Sequence, residues 1–242
     1  MKDIDAARIA GLPVFSGASP AQIEAILAEA RQTAYPKRHP IFRQGDRAES
    51  FWLLLEGRLR AIKLTPEGEQ VIVRHVGPGE LFGIAVAMGR PVYPATAMPL
   101  VDSHALVWPS SAWHRLVERC PPFATAALHA VGDRLSDAHA QVVEMSTQSV
   151  ERRIAHALLR LAGQAGRPLP SGTEIDMPLS RQDIAEMTGT TLHTVSRILS
   201  AWEARGLVGG GRRRIHILDA ERLTALASGE TTQPDGPESA RR

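Results

Sequence analysis

The stretch 180–205 contains the side chains whose types and spacing best fit a defined chemistry. The guanidinium of Arg197 can donate two hydrogen bonds to O6 and N7 of a guanine, which is the commonest specific contact between a protein and a base. Residues shortly before it carry groups that can hydrogen-bond to bases or phosphates. These residues are Thr191, His193, Thr194 and Ser196. A segment that presents these groups together predicts contact with nucleic acid.

Two short helices are predicted to hold these side chains in place. Ser180 can cap the first helix, with Asp183 at the third position, and Gly189 allows a sharp turn after it. The second helix is predicted from about Thr191 to Arg205. Its buried face is formed by Val195, Ile198, Leu199 and Trp202. This is a helix-turn-helix pattern, in which the second helix enters the major groove. The alternative is a small helical subdomain with another role.

A β-hairpin is predicted directly after the second helix, from Leu207 to Leu218, with Gly209 to Gly211 at its tip. A hairpin in this position is a wing, whose arginines would lie near phosphates. They are Arg212, Arg213 and Arg214. Residues 149–229 contain 11 basic and 8 acidic residues, an excess that favours a polyanion partner. The alternative for such a short run of charge is a solvated loop. Ahead of the first helix, a Gly- and Pro-rich loop is predicted from Gly163 to Met177.

The bulk composition excludes several classes of protein. A hydrophobic fraction of 43% and a charged fraction of 22% are typical of a soluble globular chain, and the amino terminus lacks the pattern of a signal peptide. We therefore expect a cytoplasmic protein with no membrane partner. The single cysteine, Cys120, excludes an internal disulfide and a multi-cysteine metal site. No nucleophile–base pair or metal-binding spacing is present, and GPGELFG (77–83) resembles a phosphate loop only loosely, so we expect no enzymatic activity.

The remainder of the chain predicts an α+β fold. Short apolar runs alternate with turn residues from Ile41 to Trp108, which indicates an antiparallel β-sandwich or barrel. A long helix from Ala124 to Met145 follows, with small or apolar residues at alternating steps of four and three. That spacing favours a helix that packs against a second copy of itself, and the alternative is packing within its own domain. The predicted interface residues are Leu128, Val131, Leu135, Ala138, Val142 and Met145.

These elements divide the chain into four predicted parts. Residues 12–120 would form a β-roll domain, and residues 121–148 a dimerisation helix. Residues 149–228 would form a winged helix-turn-helix domain, and residues 229–242 a disordered tail with a single apolar residue.

Motifs along residues 12–223 resemble the Crp/Fnr family of bacterial transcription regulators. They include IFRQGD (41–46), LLLEGRLR (53–60), VERRIAHALLRLA (150–162) and LSRQDIAEMTGTTLHTVSRILSAWEARGLV (179–208). The resemblance implies a jelly-roll sensor of the cyclic-nucleotide-binding type, a homodimer, and a palindromic promoter site read by two recognition helices. RNA polymerase is a further expected partner. YPATA (93–97) and FGIAVAMG (82–89) look most like the NnrR/Dnr branch, which responds to nitric oxide or other nitrogen oxides.

The resemblance also assigns roles to residues of the helix-turn-helix. Three residues match the family's phosphate-contacting helix start: Ser180, Arg181 and Gln182. Arg197 matches its guanine-reading arginine, and Ser196 agrees with the Fnr-like branch. His193 stands where relatives carry glutamate, so the half-site outside the guanine is left open.

The sensed signal follows less directly from the sequence. The positions that would bind cyclic AMP are occupied by Ile84, Pro94, Ala95 and Ala138, which lack the required acid, arginine, serine and threonine, so cyclic AMP is not expected. Gly83 belongs to the same predicted pocket. One cysteine cannot hold an iron–sulfur cluster. We therefore expect nitric oxide or redox sensing, with haem as a candidate cofactor and His139 as its candidate axial ligand.

Several alternatives remain open. His139 could be a surface or packing residue, and the other histidines of the sensor part are His75, His104 and His129. Cys120 could be a redox switch or a structural residue. The regulator could respond to a cyclic nucleotide after all, or it could bind no effector and be controlled by its abundance alone.

Overall fold

The computed structural model describes residues 9–229, and the predicted tail therefore lies outside the described residues apart from Gly229. The chain forms two compact units that divide between Gln141 and Val142. Within the described part of the chain, no helix is both long enough and apolar enough to cross a membrane.

The first unit contains two antiparallel sheets, which confirms the predicted β architecture. Its seven strands are β1 (Arg31–Tyr35), β2 (Ser50–Glu56), β3 (Leu59–Leu64), β4 (Gln70–Val76), β5 (Leu81–Phe82), β6 (Thr96–Pro99) and β7 (Ser103–Pro109). One sheet has the order β1-β7-β2-β5 and the other β4-β3-β6. Because side chains alternate between the two faces of a strand, β2 sends Phe51 and Leu53 into one apolar cluster and Trp52 and Leu54 into another.

The described part of the first unit also contains three longer helices. Helix α1 (Pro20–Ala28) begins at a capping box between Ser19 and Gln22, and α2 is Trp113–Arg119. Cys120, at the carboxyl end of α2, is fully buried in the core. Helix α3 (Pro121–Thr147) is 27 residues long and continues into the second unit. It buries Phe123 and Ala127 near its start, but Leu128, Leu135, Val142 and Met145 remain 69%, 57%, 63% and 42% exposed.

The second unit combines four further helices with a small sheet. The helices are α4 (Val150–Ala165), α5 (Arg181–Thr188), α6 (Leu192–Ala204) and α7 (Ala220–Ser228). The strands are β8 (Gly166–Leu169), β9 (Gly172–Ile175), β10 (Val208–Gly211) and β11 (Arg214–Ile217), in the order β10-β11-β9-β8.

Two predictions about this unit were wrong in detail. The predicted loop from Gly163 to Met177 contains the last turn of α4 and the β8–β9 hairpin, which is held in the sheet because β9 pairs with β11. The glycines 209–211 are not the tip of the wing, because they lie in β10 and pair with β11. The turn is made by Arg212 and Arg213, and Arg213 itself adopts a positive φ of 61°.

Candidate nucleic-acid interface and ligand cavity

The start of helix α5 is fixed by a reciprocal cap. The hydroxyl of Ser180 accepts a hydrogen bond from the Asp183 amide at 3.1 Å, and the Asp183 carboxylate accepts from the Ser180 amide at 2.7 Å and from its hydroxyl at 2.6 Å. The serine hydroxyl is therefore used inside the protein. Because the cap uses the Asp183 amide, the backbone amides that this helix start can offer a phosphate are those before Asp183.

The two residues after the cap also bond within the second unit. Arg181 donates to Glu203 of α6 at 3.1 Å, and Gln182 donates to Glu186 at 3.0 Å. Both side chains of the Arg181–Glu203 pair are more than a third exposed. Such a pair is worth little in water. Arg181 can therefore exchange Glu203 for a phosphate at small cost.

The turn between α5 and α6 is held by Arg153 of α4. Gly189 ends α5 in the left-handed conformation, with φ at 60°. Arg153 donates to the Thr188 carbonyl at 3.0 Å and to the Gln148 carbonyl at 3.0 Å. A carbonyl at the end of a helix has no partner inside that helix, so the guanidinium satisfies Thr188 and fixes the turn. This contact was not predicted from the sequence.

One face of helix α6 is used for capping and for packing in the core. Thr191 caps it by accepting from the Thr194 amide at 3.2 Å, and the two threonine hydroxyls lie 3.0 Å apart. Their hydroxyls therefore bond to the helix start and to each other before any base. The predicted buried residues are indeed buried, and Trp202 also donates to Glu151 at 2.9 Å. They are Val195, Ile198, Leu199 and Trp202.

The other face of α6 carries side chains that neither cap the helix nor pack in the core. His193 and Arg197 are exposed and Ser196 is half-buried, and the i, i+3 and i+4 spacing places them together on the helix surface. Within residues 9–229, the structure shows no hydrogen bond or ion pair for the Arg197 side chain, in contrast to Arg181. We call these three residues the reading edge.

The turn of the wing lies beside the start of α5. The carbonyl of Arg213 accepts a hydrogen bond from the Leu179 amide at 3.1 Å, one residue before the Ser180 cap. The exposed arginines 212 and 213 are thus placed next to the predicted phosphate-contacting helix start. The sequence gives no signal for this long-range backbone contact.

The third arginine of the wing has a different environment. Arg214 lies 3.9 Å from the buried carboxylate of Glu174, which also has His216 at 3.4 Å and a hydrogen bond from Arg167. The hydrogen bond from Arg167 lowers the pKa of Glu174, so this carboxylate is ionised at neutral pH. Glu174 therefore ties the strands of the small sheet together. The Arg214 side chain is 72% exposed, so its contact with a phosphate stays a prediction.

The first unit contains a cavity of about 370 Å³ between its β-strands and helix α3. Five residues of the predicted effector pocket line it: Gly83, Ile84, Pro94, Ala95 and Ala138. His139 does not line it and is exposed on α3. Among the described residues, neither a histidine nor a cysteine belongs to the lining. The cavity therefore does not fit a haem held by an axial histidine.

Comparisons with known proteins agree with this architecture. A model of the cyclic nucleotide-binding domain matches residues 32–120, and a model of the Crp-like helix-turn-helix domain matches residues 152–226. The protein is therefore a transcription regulator with a helix-turn-helix DNA-binding domain.

Similar whole proteins define the family. The chain is 28% identical over 219 residues to the cyclic AMP receptor protein of Thermus thermophilus, covering 90% of this chain and 98% of the relative. It is 29% identical over 202 residues to the nitrogen fixation regulation protein FixK of Bradyrhizobium diazoefficiens, covering 82% of each. The solved structure of FixK2 from Bradyrhizobium japonicum is 25% identical, with a TM-score of 0.72 over 81% of this chain and 96% of that one. The chain belongs to the Crp/Fnr family, whose members named here are regulators and not enzymes.

Proposed function

We propose that the protein is a homodimer that reads a palindromic promoter site through two copies of α6, under the control of a signal bound by the first unit. The observation that carries the DNA-reading role is the reading edge. Arg197 is exposed on the second helix of the helix-turn-helix and has no intrachain partner within the described residues. A guanidinium in that state can meet a guanine without first breaking a bond in the protein.

The homodimer is supported by the exposed face of α3. Leu128 and Leu135 are 69% and 57% exposed, although they repeat at the heptad spacing. The alternative, that this face packs within its own unit, accounts for Phe123 and Ala127 at the beginning of the helix but not for these leucines. A second copy of α3 would cover them, and the two-fold symmetry of such a pair explains why the DNA site should be a palindrome.

Phosphate contacts are proposed for the residues around the start of α5 and the wing turn. They are Ser180, Arg181, Gln182, Arg212 and Arg213. Gln182 and the two wing arginines are exposed, and Ser180 and Arg181 are half-buried. Thr191 and Thr194 are proposed to act mainly through the cap of α6, which sets the position of the reading edge.

Selection of bound sequences from a random pool of DNA duplexes tests this function. Purified full-length protein should enrich inverted repeats with an invariant guanine in each half-site, spaced so that the half-site centres lie about 10 base pairs apart. Enrichment of single half-sites, or no enrichment over the input pool, would contradict the proposal. Transcription from an enriched site with purified RNA polymerase tests the predicted contact with that enzyme.

The identity of the signal stays a prediction. The residues of the cavity argue against cyclic AMP, because a buried isoleucine, Ile84, occupies the place where an acid should hold the ribose. Several relatives are nevertheless named for this nucleotide. Nitric oxide or redox sensing has no histidine or cysteine in the described cavity lining to support it. An absorption spectrum of the purified protein with added haem, with and without nitric oxide, tests that prediction.

A further inference from the structure

The lining of the cavity in the first unit combines apolar walls with arginines. Aromatic and aliphatic side chains from the strands form one wall, and helix α3 contributes four residues at helical spacing. They are Val131, Arg134, Leu135 and Ala138. Among the described lining residues there is no aspartate or glutamate, whereas Arg60, Arg74 and Arg134 belong to the lining. A cavity of about 370 Å³ lies within the range of sites that bind small organic molecules.

Arg134 is a partly buried cation whose hydrogen-bonding capacity is only partly used. One of its terminal nitrogens donates to the Leu81 carbonyl, but its Nε is buried and has no hydrogen-bond partner. Within the described residues no carboxylate lies at ion-pair distance from it. Burial, and then the positive charge of Arg74, lower the pKa of Arg134 to about 10, so it remains charged at neutral pH. The negative charge of Glu80 opposes this shift without forming an ion pair with Arg134. A charge that is partly removed from water is stabilised further by an anion that binds beside it.

Arg74 contributes a further positive charge, which is paired with a carboxylate of the protein. Its guanidinium forms an ion pair with Glu80 and donates from Nε to the His75 carbonyl at 3.1 Å. Glu80 is itself held at the edge of the site, because its other oxygen accepts from the Gly77 amide at 2.9 Å. The lining therefore contains three arginines, including Arg74 and Arg134, whereas Glu80 is not part of it.

We propose that this cavity binds a monoanion with an apolar body, and that Arg134 and Arg74 hold the acid group. This inference rests on the proposed function, since it names the chemical class of the effector of the first unit. An apolar carboxylate fits better than inorganic phosphate, which would leave the apolar walls uncovered. It also fits better than a cyclic nucleotide, whose ribose hydroxyl would find no acidic acceptor in the described lining. The ligand would contact α3 directly through Arg134, and α3 is the helix that carries the proposed dimer interface.

Calorimetric titration of the full-length protein tests the proposal with probes that differ in one property. Decanoate has an apolar chain and a charge, decanamide has the same chain without the charge, and inorganic phosphate has the charge without the chain. We expect decanoate to bind at least tenfold more tightly than decanamide, and phosphate and cyclic AMP to bind more weakly than decanoate. Equal affinity for decanoate and decanamide, no binding of decanoate, or tighter binding of phosphate or cyclic AMP would overturn the proposal.

Three variants locate the acid group. Arg134→Met should weaken decanoate binding at least tenfold and leave decanamide unchanged. Arg90→Met, at an exposed arginine outside the cavity, should bind as the parent does. Glu80→Gln should bind decanoate several-fold more tightly, because Arg74 loses its competing carboxylate. This third variant keeps the test decisive even if Arg134→Met does not fold. Unchanged or weaker binding by Glu80→Gln would contradict the proposed role of Arg74.

The DNA selection tests the proposed function and the calorimetry tests the ligand assignment, so the two proposals can fail separately. If decanoate binding behaves as expected and no palindrome is enriched, the proposed function is wrong and the cavity assignment stands. If a palindrome is enriched and decanoate does not bind, only the ligand assignment is wrong.

Discussion

Helices α3 and α6 each bury one face and expose another, but the exposed faces differ in chemistry. The exposed face of α3 is apolar and includes Leu128 and Val142, which are 69% and 63% exposed. The exposed face of α6 is polar and includes His193 and Arg197. Burial of an apolar face is favourable with any surface of matching shape, whereas an exposed guanidinium gains most from an anionic acceptor in a defined geometry.

The chemistry of each exposed face indicates which kind of partner would bind it. An apolar stripe of heptad spacing suits a second protein helix, and a polar edge with an uncommitted arginine suits the edges of bases. A helix that presents neither pattern, such as α4, packs instead within its own unit, where Ile154, Leu158 and Leu161 are buried. Four variants, one of them a double variant, would test this comparison.

The largest effect is expected from charges on the apolar face of α3. The double substitution Leu128→Glu and Val142→Glu should convert the proposed dimer to a monomer, because two carboxylates per chain would be brought together in an apolar interface. Binding to a full palindrome should weaken about 100-fold or more, since the second half-site no longer binds within the same complex. Sedimentation equilibrium and gel-shift titration measure the two effects. Leu64→Glu, at a residue that is 50% exposed on β3, is the control and should remain dimeric. A double variant that remains dimeric would show that α3 is not the interface.

Removal of the guanidinium from the reading edge should have the next largest effect. Arg197→Ala should cost about 1–3 kcal/mol of binding free energy and relax the choice of base at one guanine per half-site. Gel-shift titration on the selected palindrome and on a variant lacking that guanine measures both quantities. Arg205→Ala, at the opposite end of the same helix, should not alter base preference. If Arg197→Ala weakened binding equally on both duplexes, Arg197 would be a phosphate contact.

The turn before α6 should be sensitive to the loss of its glycine. Gly189→Ala should lower the free energy of unfolding by about 1–2 kcal/mol, since a β-carbon disfavours the left-handed conformation. The methyl group of Met145 would also lie 3.2 Å from the new carbon, but it can move aside. Gly163→Ala is the matched control, because Gly163 lies in α4 with no atom near a new β-carbon, and it should stabilise the protein by up to about 1 kcal/mol. Denaturation in urea measures both changes. An unchanged free energy of unfolding in Gly189→Ala would contradict the expected cost of a β-carbon in the left-handed conformation.

The smallest effect is expected at the turn of the wing. Arg212→Ala should weaken binding to all duplexes alike and lower the slope of log affinity against log salt by about 0.9, the value for one phosphate contact on duplex DNA. Titrations at several salt concentrations measure the slope. Arg115→Ala, at an exposed arginine of α2, should leave it unchanged. An altered base preference in Arg212→Ala would instead indicate a contact with bases.

The parts of the molecule that depend on near neighbours in the chain were predictable. Ser180, Gly189 and the apolar spacing of α6 act within one or two helical turns, and the structure contains the predicted cap, turn and buried face. The wing shows where such reasoning fails. Glycines were expected at its tip, but the pairing of β10 with β11 leaves the positive φ to Arg213. The β8–β9 hairpin was missed because its place depends on β11, about 40 residues away in the chain.

The cavity was predictable only in part. The resemblance to a known family assigned pocket residues by their position in the sequence. Of these, Gly83, Ile84, Pro94 and Ala95 do line the cavity. Arg134 gave no signal, because an arginine on an amphipathic helix is usually solvated. Its burial follows from strands that lie about 50 residues earlier, where Leu81 provides the carbonyl acceptor.

In α6, the residues that hold the helix in place differ from those on its exposed polar edge, and this affects how the DNA specificity of such regulators can change. Thr191 and Trp202 keep the helix in place, while His193 and Arg197 contribute nothing to its folding through contacts seen in the described chain. Substitutions at the latter two positions therefore carry little penalty in folding. If these residues contact bases as proposed, substitution of two or three residues can change the recognised DNA sequence while the fold of the domain stays the same.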